Sequence, residues 1–290
     1  MDPIAMPRNL IDAANRDHRQ AWMASLPATV SSLKRRWALE LGEPFQPGGQ
    51  TAWVAPVRNA AGADLVLKVA WQHSEAAHEA DALRAWDGNG AVRLHDAEEL
   101  ADTTALLLER CSPGTPLTSR PEHEQDVVIA GLLRRLWRVE ASHLGLRPLQ
   151  AMCDMWADEY EQIAPSDRAA LDPGLERDGI SLLRTLPTSA DRAVLLSTDL
   201  HAGNVLTAQR ERWLAIDPKP YVGDPTYDAL QHILNCDERV RADPHRLVRR
   251  MADLLELDSE RLELWLFARC IQESPSWPGL ADVARRMAPA

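Results

Sequence analysis

The cluster Ser112-Pro113-Gly114-Thr115-Pro116 divides the chain into two textures. Two prolines and a glycine within five residues end any helix or strand that reaches them. Before it, short apolar runs alternate with turn residues. Residues 51–57 and 65–70 read as strands, joined through Arg58-Asn59-Ala60-Ala61-Gly62-Ala63-Asp64, whose Asn and Gly favour a hairpin. Residues 92–95 and 104–108 read as two further strands. Val30, Leu33, Trp37 and Leu41 share a helical face over residues 28–41. Residues 74–87 read as a second helix, opened by Ser74 and by acidic residues in its first turns.

Beyond the cluster the periodicity is mostly helical. Val128, Leu132, Leu136 and Val139 share one face, and Met152, Met155 and Trp156 begin another helix. Leu230, Ile233 and Leu234 mark a third, and Leu262, Leu264, Trp265 and Phe267 a fourth. Residues 194–196, 205–207 and 213–216 interrupt this pattern with runs of strand length. The expected class is α+β: residues 1–110 around an antiparallel sheet, and residues 111–290 mainly helical.

Charge and cysteine usage exclude several classes of function. With 32 basic residues against 43 acidic ones the net charge is -11. Such a surface repels nucleic acid and anionic lipid, and suits a cationic partner. Cys111, Cys153, Cys236 and Cys270 form no CxxC pair, which argues against a zinc knuckle or redox motif and fits reduced thiols. The N-terminus lacks a signal-like apolar core, and no apolar run reaches the ~20 residues that span a bilayer. A cytoplasmic monomer is expected. Only Lys34, Lys68 and Lys219 are lysines, the other basic residues being arginines. Where arginine is the default, a lysine suggests a site that wants a compact point charge, and two of the three fall inside motifs.

The sharpest chemical signal is Ser197-Thr198-Asp199-Leu200-His201-Ala202-Gly203-Asn204, followed by Ile216-Asp217-Pro218-Lys219. Phosphoryl transfer to an alcohol needs an oriented acceptor, a group for its proton, and Mg²⁺ against the phosphate charge. Asp199 can face the hydroxyl, while Asn204 and Asp217 offer a neutral and an anionic oxygen to the metal. No GxSxG elbow or GxGxxG fingerprint is present. His78-Glu79 begins like a zinc-protease motif, but Ala82 stands where the second histidine is required.

DLHAGN followed by IDPK resembles the catalytic and metal-binding segments of the aminoglycoside phosphotransferases. The strings AIDPKPYVGDPTYDALQHILN, PFQPGGQTAWVAPVR and LVLKVAW narrow the resemblance to the branch containing streptomycin 6-phosphotransferases and hydroxyurea kinases. It runs from about residue 40 to about residue 280. It implies a bilobal protein-kinase-like fold, ATP and Mg²⁺. It also implies Asp199 as catalytic base, Asn204 and Asp217 as metal ligands, and a nucleotide-binding N-lobe before a catalytic C-lobe. Ser197-Thr198 stands where the family usually has His-Gly.

Lys68, a charge within the apolar run Leu65-Val66-Leu67-Lys68-Val69, would pair the nucleotide phosphates. Glu79 or Glu75 would hold it, and an outward-facing lysine is the structural alternative. Gly48 and Gly49 could let backbone N–H groups approach phosphate, or simply form a hairpin turn. The backbone of Glu109, Arg110 and Cys111 would meet the adenine edge. Asp228 would either brace the catalytic loop or open a helix, and Asp224 would lie nearer the acceptor. Acceptor recognition is expected from Asp154, Asp158, Glu159 and Glu161, and from Glu273 beside Trp277, suited to guanidinium groups. The expected reaction is transfer of the γ-phosphate to a small-molecule hydroxyl. Streptomycin-type antibiotics stand first, hydroxyurea or another metabolite second, and a catalytically silent binding module is the remaining alternative.

Overall fold

The computed structural model describes residues 4–73, 77–141, 144–168 and 171–289. The chain forms two compact units. The first is Met1–Gly114 with Thr207–Leu214, and the second is Thr115–Leu206 with Ala215–Ala290.

In the first unit, helices α1 (Arg8–Arg16) and α2 (Gln20–Arg36) precede strands β1 (Glu40–Leu41), β2 (Ala52–Arg58) and β3 (Asp64–Trp71). Helix α3 (Glu79–Trp86) and strands β4 (Leu94–Leu100) and β5 (Thr103–Glu109) follow. The five strands form an antiparallel sheet in the order β1-β2-β3-β5-β4. Side chains alternate faces along a strand, so Trp53, Ala55 and Val57, Leu65, Leu67 and Val69, and Ala105 and Leu107 all line one face. Leu10, Trp22, Leu26, Val30 and Leu33 of α1 and α2 close that core. Lys68 falls on the opposite face, paired in register with Val54 and Leu106.

Helix α2 stops earlier than its apolar periodicity suggests. Ala38 adopts a left-handed φ of 49° and the Leu39 N–H turns back to the Lys34 carbonyl at 2.9 Å, which places Leu41 in β1. The helix expected over residues 74–87 is α3, starting at Glu79. Ser74 and Glu75 lie outside the described residues. The 207–214 segment joins the first unit through Arg210, whose guanidinium donates to both Glu109 oxygens at 2.9 Å and to the carbonyls of Gly88 and Ala91 at 2.7 and 3.0 Å.

The second unit is built from helices α4 (Glu122–Leu136), α5 (Leu149–Gln162) and α6 (Pro173–Thr185), followed by strands β6 (Val194–Leu196), β7 (Val205–Leu206), β8 (Leu214–Ala215, which starts at the unit boundary) and β9 (Tyr221–Gly223). It continues through α7 (Pro225–Asp228), α8 (Leu230–Asn235), α9 (Asp237–Ala242), α10 (Pro244–Leu255), α11 (Ser259–Glu273) and α12 (Leu280–Met287). Helix α11 runs through the core, burying Leu262, Trp265, Leu266, Phe267, Cys270 and Ile271. Helix α6 crosses it closely: a Cβ at Gly179 would lie 2.5 Å from Ile271 Cγ1, so only glycine fits there. Strands β6 and β9 pair antiparallel, Leu196 opposite Tyr221. That register delivers the segments on either side of the pair, Ser197–Asn204 and Asp217–Pro220, to one place. Among the described residues no helix is long and apolar enough to cross a membrane.

Candidate active site

Asp199 follows β6 on a loop that side chains and main chain hold from several directions. The buried Asp228 carboxylate accepts the Ser197 N–H at 3.1 Å, the Thr198 N–H at 2.7 Å and the Trp137 indole N–H at 2.9 Å. Burial pushes the Asp228 carboxyl up to about 6, and these three donors oppose the rise. Of the two readings of Asp228 left open by the sequence, the geometry fits bracing of the loop. On the other side, the Lys219 N–H donates to the Ser197 carbonyl at 2.9 Å, and the Thr198 hydroxyl donates to the Lys219 carbonyl. Thr198 has a left-handed φ of 48°. Thr198 therefore adopts a backbone geometry that glycine takes up freely, and its hydroxyl supplies an anchor that glycine would lack.

The Asp199 side chain is 12% exposed. Its Oδ1 accepts from Gln231 Nε2 at 3.0 Å, and its Oδ2 lies 3.1 Å from Lys219 Nζ. Asn204 Nδ2 donates to the Asp199 carbonyl at 2.9 Å, which leaves Asn204 Oδ1 as the atom able to ligate a cation. The Ile216 N–H donates to the Asn204 carbonyl at 2.9 Å, so Asp217 follows directly beside Asn204, solvent-exposed and with a left-handed φ of 54°. His201 Nδ1 accepts the Gly203 N–H at 3.1 Å, as a neutral imidazole must. Burial holds that ring below its ordinary pKa, against the pull of Asp199. Asp199, Asn204, Lys219 and Gln231 thus form one cluster with Asp217 adjoining it. Sequence reasoning gave neither Lys219 nor Gln231 a role at this carboxylate, although Lys219 stood out as a lysine and both lie inside AIDPKPYVGDPTYDALQHILN.

The residues expected to meet the nucleotide lie in the first unit. Lys68 Nζ meets both Glu79 oxygens, at 2.8 and 2.6 Å, with both residues buried. Gly48 has φ +80° and packs on the start of α1, its carbonyl accepting from Asn9 Nδ2 at 2.9 Å, whereas Gly49 faces open space. Glu109 also accepts the Arg93 N–H at 3.0 Å. Burial works to raise its pKa, but Arg210 and the Arg93 amide hold it below the ordinary carboxylate value. Burial raises the Cys111 thiol to about 11, so it stays protonated and inert at neutral pH.

The residues expected to recognise the acceptor do not form one constellation. Arg184 contacts Asp158 at 2.7 Å, Glu161 at 3.0 Å and Asp154 at 3.7 Å, so three carboxylates share one guanidinium and the patch stays acidic. Glu159 is exposed. Glu273 pairs with the buried Arg269 at 2.8 Å, and that guanidinium lies 4.0 Å from the Trp156 ring. Trp277 is 46% exposed. Asp224 is buried and committed: it caps α7 through the Thr226 N–H at 2.9 Å and accepts from Arg261 and the Trp265 indole, both at 2.7 Å. Its oxygens brace the fold and are not presented to an acceptor. Beneath α8, Asp126, His232 and Cys236 come close enough together to suggest a metal cluster. Arg239 and Arg250 already occupy both Asp126 oxygens, which opposes a dication there.

The model of the aminoglycoside/hydroxyurea antibiotic resistance kinase family matches residues 36–279. Streptomycin 6-kinase of Streptomyces griseus is 36% identical over 288 residues, covering 94% of this chain and 91% of that one. The chain belongs to the aminoglycoside/hydroxyurea antibiotic resistance kinase family. Another relative of this kinase is hydroxyurea phosphotransferase of Kitasatospora aureofaciens, 36% identical over 280 residues, with 93% of this chain and 79% of that one covered. Among solved structures, amicoumacin kinase hAmiN in complex with AMP-PNP, Ca²⁺ and amicoumacin superposes with a TM-score of 0.59 at 12% identity, covering 89% and 92% of the two chains. That likeness establishes a shared kinase fold.

Proposed function

We propose that this family member transfers the γ-phosphate of ATP to a hydroxyl of a streptomycin-type aminoglycoside and thereby inactivates it. The observation that carries the reading is the Asp199 carboxylate, fixed at both oxygens yet partly open to solvent, with Asn204 and Asp217 beside it. In this reading Asp199 orients the acceptor hydroxyl and takes its proton as the hydroxyl oxygen bonds to the γ-phosphorus. The bond from that phosphorus to the bridging oxygen breaks, and ADP leaves. Asn204 Oδ1 and the exposed Asp217 carboxylate suit Mg²⁺, which favours hard oxygen ligands. Bound there, Mg²⁺ would offset the phosphate charge.

Lys68, steadied by Glu79, is read as the cation for the nucleotide phosphates. Gly48 and Gly49 are read as part of the loop over them, and the 109–111 backbone as the adenine contact. The Asp154, Asp158 and Glu161 patch, acidic even after its pairing with Arg184, favours a cationic acceptor over a neutral one such as hydroxyurea. Asp199→Ala should lower kcat by about 10³-fold or more while leaving ATP affinity within about threefold. Full activity in that variant would refute the assignment.

A further inference from the structure

Two side chains that the motif reading left without a role converge on the Asp199 carboxylate. Gln231, on α8, reaches Oδ1 at 3.0 Å, and Lys219, between Asp217 and β9, reaches Oδ2 at 3.1 Å. Lys219 is tethered at both main-chain groups: its N–H donates to the Ser197 carbonyl at 2.9 Å, and its carbonyl accepts the Thr198 hydroxyl. Its backbone is thus tied to the two residues before Asp199, so the ammonium approaches the carboxylate from a fixed base. The side chain remains 37% exposed.

The local charge calls for such a group. In this reading the Asp199 carboxylate faces a polyanionic nucleotide, and like charges at close range repel strongly in a partly desolvated site. The loop itself supplies no cation. Leu200, Ala202 and Gly203 are uncharged, and His201 Nδ1 is taken up in accepting the Gly203 N–H. A lysine suits the task better than an arginine, because a single carboxylate oxygen needs a point charge rather than a planar fork.

We propose that Lys219 is a positioning and charge-compensating residue for phosphoryl transfer. It holds Asp199 Oδ2 toward the acceptor and screens that carboxylate from the incoming phosphates, while Gln231 fixes Oδ1. The proposal rests on Asp199 acting as the base. Lys219 acts through Asp199, so its effect depends on the carboxylate being present.

The test compares wild type, Lys219→Met, Lys219→Arg, Asp199→Asn and the Asp199→Asn/Lys219→Met double variant. ADP release is followed with streptomycin as acceptor, and with water as acceptor in the same assay should streptomycin prove not to be a substrate. Lys219→Met should lower kcat about 100-fold with KM for ATP within about threefold, the size of losing one electrostatic contact to the reacting groups. Lys219→Arg should recover at least about tenfold of that loss, and the double variant should be no slower than about threefold below Asp199→Asn alone. Melting curves and ATP binding check that each variant is folded, and Lys219→Gln replaces Lys219→Met if the latter is not. A Lys219→Met enzyme with wild-type kcat, beside an inactive Asp199→Asn enzyme, would overturn this proposal alone. Losses that multiply in the double variant would also overturn it. Full activity in Asp199→Asn would remove the base assignment and this inference together.

Discussion

The Asp228 carboxylate, wholly shielded from solvent, accepts three N–H groups: two from the backbone just before Asp199 and one from Trp137. Asparagine at this position keeps one acceptor oxygen and turns an NH₂ toward the remaining donors. Up to two buried N–H groups are then orphaned, at about 1–3 kcal/mol each. Removing the charge returns roughly 3 kcal/mol, because each pKa unit between 3.8 and about 6 is worth about 1.4 kcal/mol. The two effects nearly cancel, so Asp228→Asn should shift the melting temperature by no more than about 8 °C. Catalysis has no such compensation. A loop that loses its anchor moves Asp199, and a displacement near 1 Å costs about 100-fold in kcat.

The pH dependence has a definite sign. The folded protein holds the Asp228 proton up to about pH 6, whereas the unfolded chain releases it near 3.8. This group's contribution to stability is therefore full below the unfolded value and is lost as pH rises through about 6. Melting curves of wild type and variant from about pH 4 to about pH 8, with kcat at neutral pH, test the argument. The wild type should lose stability relative to the variant across that window. A variant destabilised by more than about 4 kcal/mol, or one with wild-type kcat, would refute the reasoning.

Two further perturbations follow from the same contacts. Glu79→Ala leaves the buried Lys68 ammonium without the carboxylate that meets it at 2.6 Å, and should cost about 3–5 kcal/mol in denaturant unfolding together with reduced ATP affinity. An unchanged unfolding midpoint would contradict it. Thr198→Gly trades a left-handed strain of about 1–2 kcal/mol against a hydrogen bond worth about 1 kcal/mol, so stability should change by less than about 1 kcal/mol. Thr198→Val keeps the strain and loses the bond, and should melt lower than Thr198→Gly.

Much of the first unit could be read directly because strand alternation is local. Trp53, Ala55 and Val57 announce a buried face without knowledge of what covers it. The Asp199, Asn204 and Asp217 spacing was legible for a similar reason, since a loop and the strand beyond it carry all three. Features made by distant partners were not. The 207–214 segment joins the first unit through Arg210 and Glu109, 101 residues apart, and an ion pair leaves no periodic trace. Asp224 looked available until Arg261 and Trp265, far along the chain, were seen to occupy it. Lys219 and Gln231 sat within a quoted motif, but which of its side chains turn toward Asp199 depends on the β6–β9 register and on the angle of α8. The end of α2 was missed because a left-handed alanine carries no compositional signal.

The most direct test of the account is product analysis after incubating the protein with ATP, Mg²⁺ and streptomycin, with hydroxyurea in a parallel reaction. The account predicts streptomycin heavier by one phosphoryl group, formed with stoichiometric ADP and abolished in Asp199→Ala. Phosphorylation of hydroxyurea alone, or bound ATP with neither product formed, would contradict it.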